Sequence, residues 1–187
     1  MRLGVLVSGR GSNLEAVLTA GLDVALVVSN RPGVRALEVA SGHAVPSLVL
    51  RRADFDDVES RDGAIGLALT DAGVDVCVLA GYDQLLRPAY FATFGGRTIN
   101  IHPSLLPAHG GAGMMGIAVH RSVLASGEAE TGVTIHEVTP ELDGGPVLAQ
   151  ARVPVAPDDD AEALAARVLA VEHRLLVETL SGLADRL

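Results

Sequence analysis

In the segment Asn100-Ile101-His102-Pro103 a carboxamide and an imidazole stand two residues apart. Residues at that spacing face the same way in an extended chain, and Pro103 disfavours helical geometry at His102. Asn100 and His102 therefore point together, with Ile99 and Ile101 on the opposite side. Two hydrogen-bond donors at the end of a strand can stabilise a developing oxyanion. A lone histidine in a loop also has an ordinary use as a hydrogen-bonded structural residue. Further on, Glu141-Leu142-Asp143-Gly144-Gly145-Pro146 presents a carboxylate that can orient an imidazole and favour its charged form. Asp-Gly is equally common turn chemistry. A third candidate is the glycine loop Gly9-Arg10-Gly11-Ser12-Asn13, which follows an apolar run and opens a helical one. Its backbone N–H groups and the helix dipole suit an anion. Leu14 occupies the place of the third glycine of a dinucleotide fingerprint, and Ser29-Asn30 replaces the acidic ribose ligand. The loop thus reads as a mononucleotide phosphate site or as a plain tight turn.

The elements that must position these groups alternate between strand and helix. Strands are expected at Leu3–Val7, Val24–Val28, Ser47–Leu50, Val74–Ala80, Thr98–Ile101, Thr131–Val138 and Val147–Val155. Helices are expected from about Leu14, at Arg35–Ala40, at Arg61–Ala72 and at Ala161–Leu180. Such alternation calls for a parallel sheet with crossover helices. In Thr131–Val138, Val133 and Ile135 share one side while Thr134 and His136 share the other. Leu164, Val168, Val171 and Leu175 form one apolar stripe on the last helix, and Asp158, Asp159 and Asp160 sit at its start, where the dipole favours negative charge. Gly110–Gly116 is a glycine-rich loop in which Met114 and Met115 are expected to line a wall.

Composition narrows the chemistry. The 187 residues carry a net charge of −9 and 49% hydrophobic residues, which fits one folded domain and disfavours binding to phosphate backbones or acidic lipids. All 14 basic residues are Arg, so Schiff-base catalysis, a lysine base and the P-loop lysine are excluded. A single cysteine, Cys77, excludes an internal disulfide and a multi-cysteine metal site and reads as a buried strand residue. The other histidines, His43, His109, His120, His136 and His173, lack metal-ligand spacing, so no metal is expected. Ser8, Ser12 and Ser104 lack the context of a nucleophile elbow. No apolar run approaches the ~20 residues that span a bilayer, and the N-terminal run is too short for a secretory signal. The expectation is a cytoplasmic protein without membrane or nucleic-acid partners.

Four runs taken together resemble the phosphoribosylglycinamide formyltransferases of the folate-dependent formyltransferase family. They are Val5–Leu14, Val78-Leu79-Ala80-Gly81-Tyr82, Ile99–Pro107 and Leu142–Pro146, and the likeness spans nearly the whole chain in order. The NIHPSLLP run with the later LDGGP carries the family, and the glycine loop narrows it. The resemblance implies a three-layer α/β, Rossmann-like formyltransferase fold with a mostly parallel sheet flanked by helices. It implies a single domain over 1–187, with a phosphate-binding half at 1–100 and a catalytic, folate-binding half at 101–187. It also implies formyl transfer from 10-formyltetrahydrofolate, a co-substrate, to the amine of glycinamide ribonucleotide in purine synthesis, by a monomer or homodimer.

By the same resemblance Asn100, His102 and Asp143 match the catalytic trio, and Gly11, Ser12 and Asn13 the substrate phosphate loop. Glu172 matches a ribose contact, and Thr134 a substrate-binding hydroxyl near the reaction centre. Asp83, Gln84, Leu85 and Leu86 match the segment against the pterin ring; Thr139, Pro140, Glu141, Leu142 and Asp143 match the folate loop. Asn100 also lies on the folate side. The chemistry fits these types: amine attack puts negative charge on the formyl oxygen, which Asn100 and protonated His102 can hold, while Asp143 pairs with His102 and relays the proton.

Two departures stand out. Ala108–Ile117 is longer and richer in glycine than the usual family segment, and the arginine that many members place near the donor aligns with Val58, leaving Arg61 or Arg87 as substitutes. Transfer to an amino-sugar nucleotide, hydrolysis of formyltetrahydrofolate and non-catalytic nucleotide binding are the alternatives. Methionyl-tRNA formyltransferase would need an added domain and a basic surface.

Overall fold

The computed structural model describes residues 1–184. Its seven strands form one mostly parallel sheet flanked by helices, in the order β3-β2-β1-β4-β5-β6-β7. The strands are β1 (Leu3–Val7), β2 (Val24–Ser29), β3 (Ser47–Val49), β4 (Val76–Leu79), β5 (Arg97–His102), β6 (Glu130–Glu137) and β7 (Val147–Pro154). The helices are α1 (Ser12–Thr19), α2 (Arg35–Gly42), α3 (Val58–Asp71), α4 (Pro88–Thr93), α5 (Ile117–Ser126) and α6 (Ala161–Ala184), with a 3-10 turn at Arg52–Asp54. The chain divides into two compact units, residues 1–99 and residues from Asn100 onward.

In the first unit β1 pairs in parallel with both β2 and β4, and β2 with β3. All five residues of β1 and all four of β4 are buried. A parallel strand covered on both faces reads as a continuous apolar run, as LGVLV and VCVL do. Each fully buried Leu or Val contributes roughly 1.5–3 kcal/mol of transfer free energy. Cys77 is buried in β4, where desolvation pushes its thiol up to about 12. Helix α3 starts at Val58, three residues before the expected Arg61, because Asp57 caps it by accepting the Ser60 N–H at 2.7 Å. Arg61 and Asp62 are both buried and ion-paired. The second carboxylate oxygen of Asp62 accepts the Arg87 N–H at 2.7 Å, just before α4. Arg61 is therefore spent inside the fold and is withdrawn as a donor contact.

In the second unit β6 and β7 are antiparallel, with Thr134 opposite Gln150. Helix α6 packs on both and on α5. Its buried positions are Ala161, Leu164, Val168, Glu172, Leu176 and Leu180. The expected stripe through Val171 and Leu175 is thus displaced by one residue, and a glutamate occupies the inner face. Asp160 caps the helix through the Ala163 N–H, while Asp159 pairs with Arg167. Helices α4 and α5 were not expected from sequence. No helix among the described residues is long and apolar enough to cross a membrane.

Candidate functional site

Strand β5 runs to His102, one residue beyond the expected end, so Asn100 and His102 both lie on regular extended backbone. Asn100 is half-buried and His102 buried. The Asn100 Nδ2 donates to His136 Nε2 at 3.1 Å, and His136 Nδ1 donates to the Glu137 carbonyl at 2.9 Å. These two bonds define a neutral His136 protonated on Nδ1. Burial lowers its pKa, and the neighbouring His102 adds to this against the Glu137 carbonyl and Asp143. On the next strand, His136 is the residue on which two of the expected catalytic groups, Asn100 and Asp143, converge. Its place beside Thr134 on one face of β6 was legible; the role was not.

Asp143 sits between β6 and β7 in a left-handed conformation (φ 53°). One oxygen accepts the Gly111 N–H at 2.8 Å, and the other lies 3.7 Å from His136 Nε2. The carboxylate thus meets His136 where the sequence reading had it meet His102. His102 instead donates from Nε2 to the His109 carbonyl at 2.9 Å, which leaves Nδ1 as the ring nitrogen available to a ligand. The loop after β5 accounts for this arrangement: it passes its His109 carbonyl to the imidazole and its Gly111 N–H to the acid. Gly145, in the same turn as Asp143, has no alternative residue, since a Cβ there would stand 1.8 Å from the Glu137 carbonyl oxygen.

Thr134 is fully buried and its hydroxyl is saturated. It donates to the Ser104 carbonyl (2.7 Å) and accepts from the Leu106 N–H (3.0 Å) and the Gln150 amide (2.9 Å). One donor and two lone pairs are all that a hydroxyl has. Thr134 therefore holds the turn that follows His102, which corrects the expectation of a substrate contact. Gln150, unnoticed in the sequence, also donates to the Leu106 carbonyl at 3.0 Å. Of the remaining folate-loop residues in this unit, Pro140, Glu141 and Leu142 are exposed and Thr139 is half-buried, with its hydroxyl donating to the Glu141 carbonyl. Glu172 is buried on α6.

The first unit carries the other two candidate segments. Gly11 precedes α1 with φ 75°, and no side chain caps the first turn, so the leading N–H groups of α1 are not spent on a capping side chain. A Cβ at Gly11 would lie 2.7 Å from Ala36 of α2. Ser12 and Asn13 form the first turn, Asn13 buried and Ser12 half-buried. The segment from Asp83 to Leu86 is irregular and held at both ends. Asp83 donates its N–H to Ser8 Oγ at 3.0 Å, and its carboxylate takes Asn30 at 2.8 Å and Arg31. Leu86 is buried, Gln84 half-buried and Leu85 exposed. Arg87 is exposed and remains the arginine of this segment open to a ligand. Buried Tyr82 has its phenol pushed up to about 12 by desolvation.

Chemically, the second unit offers a carboxamide and a carboxylate that converge on a neutral histidine, and an imidazole held separately by the His109 carbonyl, a set suited to charge stabilisation and proton transfer at a carbonyl. The family model for formyl transferases matches residues 1–180. The chain is 38% identical over 191 residues to phosphoribosylglycinamide formyltransferase of Escherichia coli (strain K12), covering 99% of this chain and 88% of that protein. It is 39% identical to the trifunctional purine biosynthetic protein adenosine-3 of Drosophila melanogaster, spanning 98% of this chain but 14% of that protein. Glycinamide ribonucleotide transformylase 1 from Symbiobacterium toebii superposes with a TM-score of 0.90 at 39% identity, over 96% of this chain and 85% of that one. With that match running almost end to end over the elements that hold Asn100, His102 and Asp143, the chain belongs to the formyl transferase family.

Proposed function

We propose that the protein transfers a formyl group from 10-formyltetrahydrofolate to the primary amine of glycinamide ribonucleotide. The observation that carries this reading is the contact of one neutral ring nitrogen, His136 Nε2, with both Asn100 and Asp143, in a chain whose near-full-length relatives bear that activity in their names. The amine nitrogen attacks the formyl carbon and a C–N bond forms, placing negative charge on the carbonyl oxygen. The Asn100 amide and the Nδ1–H of a protonated His102, whose Nε2–H stays on the His109 carbonyl, hold that charge. The Asp143 carboxylate takes the amine proton through a water and passes it to the folate nitrogen as its bond to the formyl carbon breaks. Formylated amide and tetrahydrofolate leave.

The phosphate of the acceptor suits the uncapped α1 N-terminus at Gly11, Ser12 and Asn13, and its ribose suits Glu172. The donor suits the segment Asp83–Leu86 and the loop Thr139–Asp143, with Asp83 contributing backbone alone because its carboxylate is engaged by Asn30 and Arg31. Small-molecule substrates fit the family; action in the cytoplasm as a monomer or homodimer is part of the same proposal. The test is a spectrophotometric assay with a 10-formyltetrahydrofolate analogue, with and without glycinamide ribonucleotide. Consumption of donor only when the amine is present supports the reading. Consumption without it assigns a hydrolase, and turnover only with an amino-sugar nucleotide assigns another acceptor.

A further inference from the structure

The loop between β5 and α5 contains a histidine that the proposed chemistry does not use. His109 has φ 52°, a left-handed conformation uncommon for residues other than Gly, though His, like Asn and Asp, is enriched there. Its Nδ1 is hydrogen-bonded to Ser122 Oγ of α5 at 2.8 Å, and its Nε2 lies 3.2 Å from Glu128, just past the end of α5. The latter contact is off hydrogen-bond alignment, so Ser122 is the partner that fixes the ring. The backbone carbonyl of His109 receives the His102 Nε2–H at 2.9 Å. Two residues on, the Gly111 N–H holds Asp143 at 2.8 Å.

We propose that His109 is a positioning residue. Its ring, anchored on Ser122, fixes the carbonyl that holds the His102 proton on Nε2 in the neutral ring, so that the second proton, which charges the ring, enters at Nδ1 and is the one donated to the reacting carbonyl oxygen. The inference rests on the formyl-transfer reading for its catalytic consequence, but not for the tautomer. A carbonyl can only accept, so as long as it stays in place the neutral ring must keep its proton on Nε2. Once His109 loses its anchor, the peptide can leave its left-handed conformation. The carbonyl then no longer fixes the proton on Nε2.

The test compares Ser122→Ala, Ser122→Thr and His109→Phe with the wild type, using protein labelled with ¹⁵N in histidine. The His102 resonances are assigned by their loss in His102→Gln. The neutral His102 is expected to be wholly Nε2–H in the wild type and in Ser122→Thr, which keeps the hydroxyl, and mixed in the other two. Displacements near 1 Å at a reacting group can cost up to 10²-fold. Accordingly, kcat is expected to fall at least roughly tenfold in Ser122→Ala and His109→Phe, with both KM values within about twofold. An unaltered tautomer overturns the proposal, as does an altered tautomer with unaltered kcat in an active enzyme. Should the wild type prove inactive on glycinamide ribonucleotide, the formyl-transfer reading falls and the tautomer alone decides the anchor. Should His109→Phe fail to fold, the two Ser122 variants decide it.

Discussion

The Nε2 atom of His136 lies 3.7 Å from Oδ1 of Asp143 while accepting the Asn100 amide at 3.1 Å. The carboxamide is thus bonded to a ring that burial holds toward its neutral form, and the carboxylate lies beside the same nitrogen without a hydrogen bond to it. A protonated His136 would turn a donor toward Asn100 Nδ2, and the amide would have to rotate. His136→Phe removes the acceptor while keeping a ring. It is expected to lower kcat at least roughly tenfold with a smaller effect on either KM, measured by steady-state kinetics. Unchanged kcat would count against the shared ring as the organiser of the site.

In the proposed reaction Asn100 and His102 hold the oxyanion. Loss of one such donor costs about 2.7–4 kcal/mol, or roughly 10²–10³ in turnover. Asn100→Ala and His102→Ala are each expected to show that loss with wild-type circular dichroism. Near-normal turnover in purified His102→Ala would remove the imidazole from the mechanism.

Two buried histidines make stability pH-dependent. His136 and His120 both titrate below their ordinary value, chiefly through desolvation. In the unfolded chain they take up protons near pH 6.5, whereas the folded protein takes them up only at lower pH. Stability is therefore full above about pH 6.5 and is lost as pH falls from there toward the lower folded values. Urea midpoints at about pH 7.5 and about pH 5.5 test this: His120→Gln should lose less on acidification than the wild type. Equal losses would contradict the assigned cause for His120.

Thr134→Val keeps shape but strips the hydroxyl that serves Ser104, Leu106 and Gln150. A buried group left without a partner costs about 1–3 kcal/mol. The variant should unfold at lower urea with unchanged slope while both KM values hold, and Thr134→Ser should recover most of the loss. A selective rise in the KM of the amine substrate would restore Thr134 as a substrate contact.

Breaking the buried Arg61–Asp62 pair strands a charge, which costs about 3–5 kcal/mol. Arg61→Leu is expected to lose stability on that scale in a urea titration. The variant Arg87→Ala, at an exposed side chain, should leave stability unchanged and raise the KM of a donor carrying a carboxylate tail. The opposite pattern would return Arg61 to the donor site.

What the sequence determined is local. The spacing of Asn100 and His102 and the proline after them define one face of one strand, because side-chain direction in extended backbone has period two. The glycine loop before α1 and the LGVLV and VCVL runs define a buried parallel sheet by the same short-range logic. The β5 and β6 pairing that lets Asn100 reach His136 was decided only by tertiary structure, since strand register depends on packing between segments far apart in the chain. The same holds for Asp143: its turn was readable, but its partner was set by a loop whose length and glycine content open several paths. Helix α4 is six residues with a proline at its start, too short to show a period. On α6 the apolar stripe suggested Val171 and Leu175, yet the inner face carries Glu172 and Leu176. A polar residue turns inward only where the surrounding fold makes room for it, and no helical periodicity records that room.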